Sequence, residues 1–473
     1  MTLRDFLLMR QELLLIVATL LILSAEIFRD PEKKRSPDLF ALILFAIVTF
    51  AGFLPSETGT LFGGMYEVTD TRLIMKNILN AGVLIVLLQS VSWLGRKEYE
   101  GRTSEYHIIL LSTLAGMDFM ISAGHFLMFY IGLELATIPL AALVAYDRFS
   151  NKSAEGGIKL ILISALSSGI LLYGLSMIYG TTGSLYFDEV ARLFRNGNLE
   201  ILAFIFFFSG MAFKISIVPF HLWTADVYEG APVNITSYLS VISKGAAAFI
   251  FIIVLFRVFP VIIESWQKLI YVTAVLTMTI GNLFAIRQQN LKRFLAFSSI
   301  SQAGYLLLGF IGGTQTGMAS VIYYILVYVF SNLGAFGVVA AISNSSGREN
   351  IGDYNGLYRT NPGLSLVMLL ALFSLAGIPP FAGFFGKFFL FTAAAQKGYY
   401  ILVLIAVLNT IISLYYYLLV VKAMFIVKNE TPIGSFNSDL PTKIALGICV
   451  AGIVIIGFAG IIFEMIRNSS FGV

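Results

Sequence analysis

Long apolar runs recur along nearly the whole of this 473-residue chain, and they restrict its fold more than any other feature. Many of them exceed 18 residues, the length at which a helix spans the hydrocarbon core of a membrane. Only 12% of the residues are charged, whereas soluble domains carry about 25%. The alternating ten-residue segments typical of membrane β-barrels do not occur. The sequence therefore predicts an all-α polytopic membrane protein.

The apolar runs define fourteen predicted spans, the first of which we interpret as a membrane helix rather than a secretory signal. They cover residues 12–28, 38–54, 72–94, 106–122, 124–146, 154–179, 200–223, 231–260, 265–286, 290–312, 316–343, 362–396, 399–427 and 441–466. A further segment, 185–194, has the pattern of a short amphipathic helix at the membrane surface.

The distribution of basic residues predicts the orientation of these spans. An even number of spans places both termini on one side, and basic residues favour the cytoplasmic side of short loops. Loops after odd-numbered spans carry 16 basic residues, and the opposite side carries 8. We therefore expect a multi-pass protein of the cell inner membrane with both termini on the periplasmic side.

Several function classes are disfavoured by what the sequence contains. The net charge of +4 is spread over short loops, so no basic cluster suits nucleic acid. One cysteine, Cys449, cannot form a disulfide within the chain or ligate an iron–sulfur cluster with partner cysteines. No metal-ligand spacing, nucleotide-binding loop or nucleophile motif occurs. We expect no cofactor in this chain and no redox or hydrolytic chemistry of its own.

Four charged residues lie deep inside predicted spans: Glu134, Lys214, Lys244 and Lys387. A charge at bilayer depth is costly, and such residues usually mark ion or proton pathways. The alternative is a structural ion pair that only holds helices together. A lysine can gain or lose its proton as a partner moves, so a Glu134–Lys214 pair could act as a switch, with Lys244 as the next acceptor.

Three other basic residues, Lys76, Arg257 and Lys422, lie nearer to the ends of spans. For these we expect side chains that reach to the membrane interface. Asp118 is a further carboxylate within a span, and the sequence suggests no partner for it.

Prolines accompany three of the central charges. Pro139 follows Glu134 by five residues, Pro219 follows Lys214 by five, and Pro379–Pro380 precede Lys387. Proline interrupts or kinks a helix, and broken helices beside buried charges are typical of ion sites in transporters. An ordinary proline kink is the alternative at each position.

Polar residues form a stripe on one predicted helix, where Ser298, Ser301, Gln302 and Tyr305 share a face. Such residues could line a hydrated path, or they could simply permit close helix packing. His221 lies in the central region and could relay protons, although packing beside Trp223 is an equally good interpretation.

Three long motifs resemble one family. FKISIVPFHLWTADVYEGAPVNITSYLSVISK (213–244), NLKRFLAFSSISQAGY (290–305) and SLAGIPPFAGFFGKF (374–388) are similar to the proton-translocating antiporter-like subunits of respiratory complex I. That family also includes subunits of Mrp-type cation/proton antiporters and of membrane hydrogenases. Within it, GLELATIPL (132–140) and the lysine at 387 resemble the N-type (ND2-like) subunit of NADH–quinone oxidoreductase.

The resemblance implies a fold of two inverted five-helix repeats in which the seventh and twelfth helices are broken. It divides the chain into N-terminal helices 1–3 (residues 1–105), a first repeat of helices 4–8 (106–260), a second repeat of helices 9–13 (261–427), and helix 14 (428–473). It also implies membrane lipids around the chain and neighbouring subunits of the M, K and J types, with a lateral helix from the L type. NADH, FMN, iron–sulfur clusters and quinone would bind to partner subunits.

The resemblance also implies roles for single residues. Glu134 and Lys214 match an ion pair, Lys244 a central relay, Lys387 an exit residue, and Lys159 a lysine near the cytoplasmic side. Gln302 departs from the family, in which histidine is frequent at this position. Because glutamine cannot take up a proton, the path there would depend on water and on Ser298, Ser301 or Tyr305.

Three functions follow as alternatives. The first is a proton-pumping, non-redox subunit of complex I, and the second is a subunit of an Mrp-type cation/proton antiporter or a membrane hydrogenase. The third is a scaffold whose buried charges only support assembly.

Overall fold

The structure is a computed structural model that describes residues 3–28, 37–313, 315–469 and 471, and helices make up most of it. The helices are α1 Leu3–Leu8, α2 Arg10–Ile27, α3 Pro37–Gly52, α4 Asp70–Leu94, α5 Thr103–Ile121, α6 Phe126–Leu135, α7 Ile138–Val144, α8 Asn151–Thr182, α9 Phe187–Leu193, α10 Asn198–Ile215, α11 Leu222–Gly230, α12 Val233–Tyr238, α13 Lys244–Val258, α14 Ile263–Ala285, α15 Leu291–Ile311, α16 Gln315–Ser346, α17 Leu357–Thr360, α18 Pro362–Ala376, α19 Ala382–Gln396, α20 Tyr400–Phe425, α21 Leu440–Phe458 and α22 Gly460–Asn468. Short 3-10 turns cover Phe62–Gly64, Lys97–Tyr99, Pro260–Ile262 and Ile351–Tyr354, and a π-helical turn covers Leu239–Ser243.

Every predicted span is helical in the structure. Ten helical segments of the described residues are long and apolar enough to cross a membrane, and α3 and α18 are shorter apolar helices. Two further predicted spans, α2 and α5, each hold a buried carboxylate, Glu12 and Asp118. The all-α polytopic fold is confirmed, while the full number of fourteen spans stays a prediction. The amphipathic segment forms α9, with Phe187 and Val190 buried.

The orientation prediction depends in part on residues that the structure does not describe. Arg29, Lys33, Lys34 and Arg35, which lie in the first basic loop, fall outside the described residues.

A small antiparallel hairpin was not predicted. Strand β1 (Gly59–Leu61) pairs with β2 (Tyr66–Val68), and Thr60 lies opposite Glu67. Strands of three residues are too short for a period-two pattern to be recognised. The hairpin lies beside the end of α5, because the backbone N–H of Glu67 donates to Ser122 O at 2.8 Å.

The centre of the molecule is a set of almost fully buried helices. Every residue of the apolar window of α15 is buried, and α16 and the continuous segment Val233–Val258 are nearly so. Helix α15 lies close to α14 because both present glycines at the contact. A Cβ on Gly281 would lie 2.7 Å from the backbone N of Ser301, and one on Gly304 would lie 2.7 Å from that of Met278. Small residues permit this close approach between membrane helices.

Two helices are broken where prolines were expected to act. Helix α10 ends at Ile215, Ser216 adopts a left-handed conformation (φ 66°), and α11 begins at Leu222. Helix α18 ends at Ala376, Gly377 is left-handed (φ 85°), and α19 begins at Ala382. A left-handed residue after the last turn is a common helix end.

A third interruption lies near Pro139. Helix α6 ends at Leu135, and α7 begins at Ile138 with the proline in its first turn. Proline is tolerated there because the first N–H groups of a helix have no partner within it. The residues Glu134 and Thr137 therefore lie on either side of the interruption.

Candidate functional site

Lys214 lies in the last turn of α10, where it is 7% exposed. Its ammonium donates to Thr137 Oγ1 at 2.7 Å. A cation near a helix C-terminus is stabilised by the helix dipole, which favours Lys214 at this position. The side chain of Lys214 therefore connects the break in the seventh predicted span with the interruption between α6 and α7.

The predicted Glu134–Lys214 ion pair is not formed as a direct contact. Among the described residues, the ion pairs within 4.0 Å do not include it. Glu134 is nevertheless close enough for its charge to act on Lys214. Oε1 of Glu134 is buried without a hydrogen-bond partner. Lys214 instead donates to Thr137, which lies one helical turn after Glu134, the predicted partner.

Lys244 begins α13 directly after the π-helical turn and is 4% exposed. Its Nζ donates to Ser299 Oγ at 2.7 Å and lies 5.4 Å from the centre of the Tyr228 ring. Ser240 lies 3.2 Å from Ser299 and 3.1 Å from the hydroxyl of Tyr328. Lys244 therefore faces a chain of neutral hydroxyl groups.

Gln302 lies at the centre of a second group of polar side chains. Its Nε2 donates to the hydroxyl of Tyr417 at 3.1 Å and to Leu375 O at 3.3 Å, and its Oε1 accepts a short hydrogen bond from Tyr324. Ser298 Oγ lies 2.5 Å from the same Tyr417 hydroxyl.

One small internal cavity joins the two polar groups. Its lining includes Ser240, Lys244, Ser299, Gln302, Tyr324 and Tyr328. The surroundings of Lys244 and Gln302 are thus continuous within the core.

Lys387 lies on α19 and is 3% exposed. Its Nζ donates to Ala376 O at 3.2 Å and lies 4.5 Å from the centre of the Tyr305 ring. The carbonyls of a last helical turn have no partner within the helix, so the break after Ala376 supplies the acceptor for Lys387. Lys214, Lys244 and Lys387 form no salt bridge within the part of the chain that the structure describes.

His221 lies in the break between α10 and α11, as the N-cap residue of α11. It is 7% exposed, and its Nδ1 has no hydrogen-bond partner. The charge of Lys244 acts on it. Both interpretations of His221, packing and proton relay, are compatible with this position.

The polar stripe of α15 is divided between different partners. Ser298 and Gln302 share Tyr417, Tyr305 lies under Lys387, and Ser301 Oγ donates to Ser298 O of its own helix at 2.9 Å. The direct partner of Lys244 is Ser299, which is not a member of the predicted stripe. Helical periodicity groups residues by face, and it cannot tell which neighbouring helix each face meets.

Lys159 lies apart from the buried lysines, in a cluster of charges that we call the end cluster. Its Nζ lies 2.9 Å from Asp226 and 2.6 Å from Glu155, and its side chain is 37% exposed. Arg293 contacts Asp226 at 2.6 Å and Glu229 at 3.1 Å, and Lys152 contacts Glu229 at 2.9 Å. The end cluster joins α8, α11 and α15. The acidic residues of the end cluster were not predicted, because charged residues near the ends of spans are usually ordinary loop residues.

One prediction about a basic residue near a span end is wrong. Lys76 is 1% exposed and pairs with Glu12. Arg257 pairs with Glu67 and with Asp188, which lies on α9, and its reach to the membrane interface stays a prediction. Hydrogen bonds from Arg257 lower the pKa of Asp188 below its usual value. Sequence alone cannot place acidic partners that lie 64, 69 or 190 residues away.

Within the described residues, no group of three or more histidine, cysteine, aspartate or glutamate side chains is arranged to hold a metal ion. Cys449 is buried on α21.

Comparison with known proteins identifies relatives along nearly the whole chain. The family model described as NADH:quinone oxidoreductase/Mrp antiporter, TM matches residues 123–413. A protein named NADH-quinone oxidoreductase subunit N from Phocaeicola vulgatus is 52% identical over 463 residues, which are 98% of each chain. A protein of the same name from Paramagnetospirillum magneticum is 36% identical, and the match covers 94% of this chain and 93% of that protein.

Solved structures give the same result for the fold. A chain of respiratory complex I from Thermus thermophilus with bound aureothin has a TM-score of 0.81 at 29% identity, covering 97% of this chain and 98% of that one. A chain of the Mrp complex from Dietzia has a TM-score of 0.83 at 21% identity, covering 99% and 97%, and this likeness concerns the fold alone. The chain belongs to the NADH:quinone oxidoreductase/Mrp antiporter family of transmembrane proteins, and within it to the subunit N branch.

Proposed function

We propose that this chain translocates protons as a non-redox membrane subunit of an NADH–quinone oxidoreductase, through a relay of Glu134, Lys214, Lys244 and Lys387. The observation that carries the proposal is the setting of Lys244, which is buried at membrane depth and bonded to Ser299, with only neutral acceptors. An ammonium without a counter-ion in such a place is costly, and a proton pathway explains why it is there.

The first step concerns Lys214. Its ammonium is bonded to Thr137 in this structure, while Glu134 lies on the other side of the helix interruption. A small movement at this interruption, or at the break after Ile215, would exchange Thr137 for Glu134 as the partner. A lysine with a carboxylate partner holds its proton, and one with a neutral partner releases it more easily.

The second step connects Lys244 with Lys387. Hydroxyl groups both donate and accept hydrogen bonds, so Ser299, Ser240 and Tyr328 can pass a proton on from Lys244. Gln302 does not take up a proton, and the hydroxyls of Tyr324 and Tyr417 on either side of it would have to continue the path. Tyr305, which lies beneath Lys387, leads to the last residue of the relay.

The complex would supply the energy and the redox chemistry. Moving one charge against 100 mV costs about 2.3 kcal/mol, and quinone reduction in partner subunits would meet this cost. The names of the relatives and the assembly of the Thermus thermophilus chain in complex I support such partners. We further propose the M-, K- and J-type neighbours, an inner-membrane location, and both termini on the periplasmic side.

The test compares three variants and one control variant in purified complex reconstituted into liposomes, with NADH-driven proton uptake as the measurement. We expect Lys214→Ala and Lys244→Ala to pump much more slowly than the unaltered complex. Lys244→Arg keeps the positive charge, but arginine cannot be deprotonated in proteins, so we expect it to fail like Lys244→Ala. Lys422→Ala, at an exposed position on α20, is the control and should pump normally.

Two outcomes would contradict the proposal. Normal pumping by both alanine variants in assembled complex would exclude the relay. Full rescue by Lys244→Arg would mean that the charge only supports the structure. Sodium transport without NADH oxidation would instead identify an antiporter of the Mrp type.

A further inference from the structure

A second group of buried charges lies outside the row of central lysines, among α2, α4 and α5. It comprises Glu12 (0% exposed), Lys76 (1%) and Asp118 (1%). The Lys76 ammonium forms a short ion pair with Glu12 Oε1 and lies 3.3 Å from the hydroxyl of Tyr66. Asp118 lies on α5, which packs against α2 and α4, and the charges of Lys76 and Glu12 act on it.

The charges of this group do not balance. Two carboxylates face one ammonium, so full ionisation leaves one negative charge buried without compensation. Both oxygens of Asp118 and Oε2 of Glu12 are buried without a hydrogen-bond partner. A buried carboxylate without partners is strongly disfavoured, and the group therefore requires one further positive charge.

A neighbouring group shows that this imbalance is not general. Glu67 and Asp188 face Arg72 and Arg257, with contacts of 3.0 Å for Arg72–Glu67 and 2.8 Å for Arg257–Asp188. Two acidic and two basic side chains compensate each other there. The two groups lie at the same end of the bundle, because Arg72 also donates to Ser122 O and Ala123 O, just after the helix that carries Asp118.

We propose that Asp118, Glu12 and Lys76 form a binding site for one proton, which the two carboxylates share. The Lys76 ammonium already pairs with Glu12, and among the described residues no group of acidic, histidine or cysteine side chains is arranged to hold a metal ion, whereas a proton requires no additional space. Tyr66 and Tyr238 are the other titratable groups that face the site, from β2 and α12. On α4, one turn from Lys76, the buried amide of Asn80 is also without a hydrogen-bond partner.

The role of this site in transport rests on the proposed function. The site lies at the end of the bundle that we expect to face the periplasm, and Tyr238 connects its surroundings with the helix that leads to Ser240 and Lys244. A proton that leaves the relay could rest at Asp118 before its release.

Infrared difference spectra of the purified complex, with unaltered protein as the reference, test the binding itself. A protonated carboxyl group gives a carbonyl band that shifts in deuterated water. We expect this band to be lost in Asp118→Asn, and also in Glu12→Gln, because the remaining carboxylate and Lys76 then balance without a further proton. Lys76→Met should strengthen the band, since both carboxyls then become neutral. Glu105→Gln, an exposed carboxylate on α5, is the matched control and should not change the band.

Proton pumping provides the second measurement. We expect Asp118→Asn to lower the number of protons pumped per NADH in assembled complex and Asp118→Glu to retain it. A band that persists in Glu12→Gln would overturn the shared proton, and a band that depends on sodium concentration would identify a metal cation instead. If Lys244→Ala stops pumping while Asp118→Asn leaves both the band and the pumping unchanged, the proton site at Asp118 is refuted and the relay is not. If Lys214→Ala and Lys244→Ala both pump normally, the relay fails whatever Asp118 does.

Discussion

At the scale of single residues, Gln302 cannot carry a proton, yet it is bonded to the hydroxyl groups on both sides of it. Its amide bonds in both directions, accepting from Tyr324 and donating to Tyr417 and Leu375 O. Two tyrosine hydroxyls are thereby held on either side of α15. Where the family resemblance implies a frequent histidine, this chain has an amide that does not titrate but bonds to both neighbours.

We therefore expect Gln302→Leu to slow proton pumping and to destabilise the complex. The substitution leaves Tyr324 and Leu375 O without this partner, and each unsatisfied buried group costs about 1–3 kcal/mol. Gln302→His, which can restore a donor and an acceptor, should pump at least as well as the unaltered protein. The measurements are proton uptake and thermal unfolding of the purified complex.

Gln267→Leu is the matched control for this prediction. Gln267 also bridges a tyrosine and a backbone carbonyl, since it contacts the Tyr399 hydroxyl and Ile311 O at 3.3 Å each. It lies on α14, outside the polar stripe of α15. The Gln267→Leu variant should unfold at a lower temperature but should pump protons as fast as its stability allows. Equal loss of pumping in both variants would mean that Gln302 acts only through stability.

At the scale of helices, close packing of α14 on α15 positions the polar face of α15. The glycines at this contact leave no space for a side chain, as the 2.7 Å approach at Gly281 shows. Because α15 is buried on all sides, any shift from α14 is passed on to Ser299 and Gln302.

We expect Gly281→Ala to lower both stability and pumping. Its methyl group would meet the backbone of Ser301, and overpacking of this kind costs about 1–3 kcal/mol. Gly169→Ala on α8 is the control, because a Cβ there meets nothing within 4 Å. It should be neutral or slightly stabilising, since alanine is the better helix former. Similar unfolding temperatures for the two variants would contradict the importance of this contact.

Helical elements could be predicted from the sequence more completely than their contacts. Apolar runs locate the helices, and prolines locate the breaks near Ile215 and Ala376, because both signals are local. The partners of Lys244 and Lys76 could not be predicted. Ser299 lies 55 residues from Lys244, and Glu12 lies 64 residues from Lys76. Such pairs depend on how helices pack, and no periodicity in one segment contains that information.

At the scale of the whole molecule, the three central lysines and the end cluster are charges of different kinds. Lys214, Lys244 and Lys387 are buried and bonded to neutral groups, whereas the end cluster is partly exposed and consists of mutually compensating ion pairs. Surface pairs contribute only about 0–1 kcal/mol each and are weakened by salt. Lys159 belongs to the second kind, although the family resemblance groups it with the relay.

This difference leads to a prediction about salt. We expect Lys159→Ala to reduce proton pumping less than Lys244→Ala and to lose most of its effect at high ionic strength. Salt screens charges beyond about 10 Å at 0.1 M and about 3 Å at 1 M, so a partly exposed lysine that acts through its field becomes dispensable. A buried lysine that carries the proton itself stays essential at every salt concentration. Proton uptake by the two variants at low and high potassium chloride measures the contrast, and an equal, salt-independent loss in both would place Lys159 within the relay.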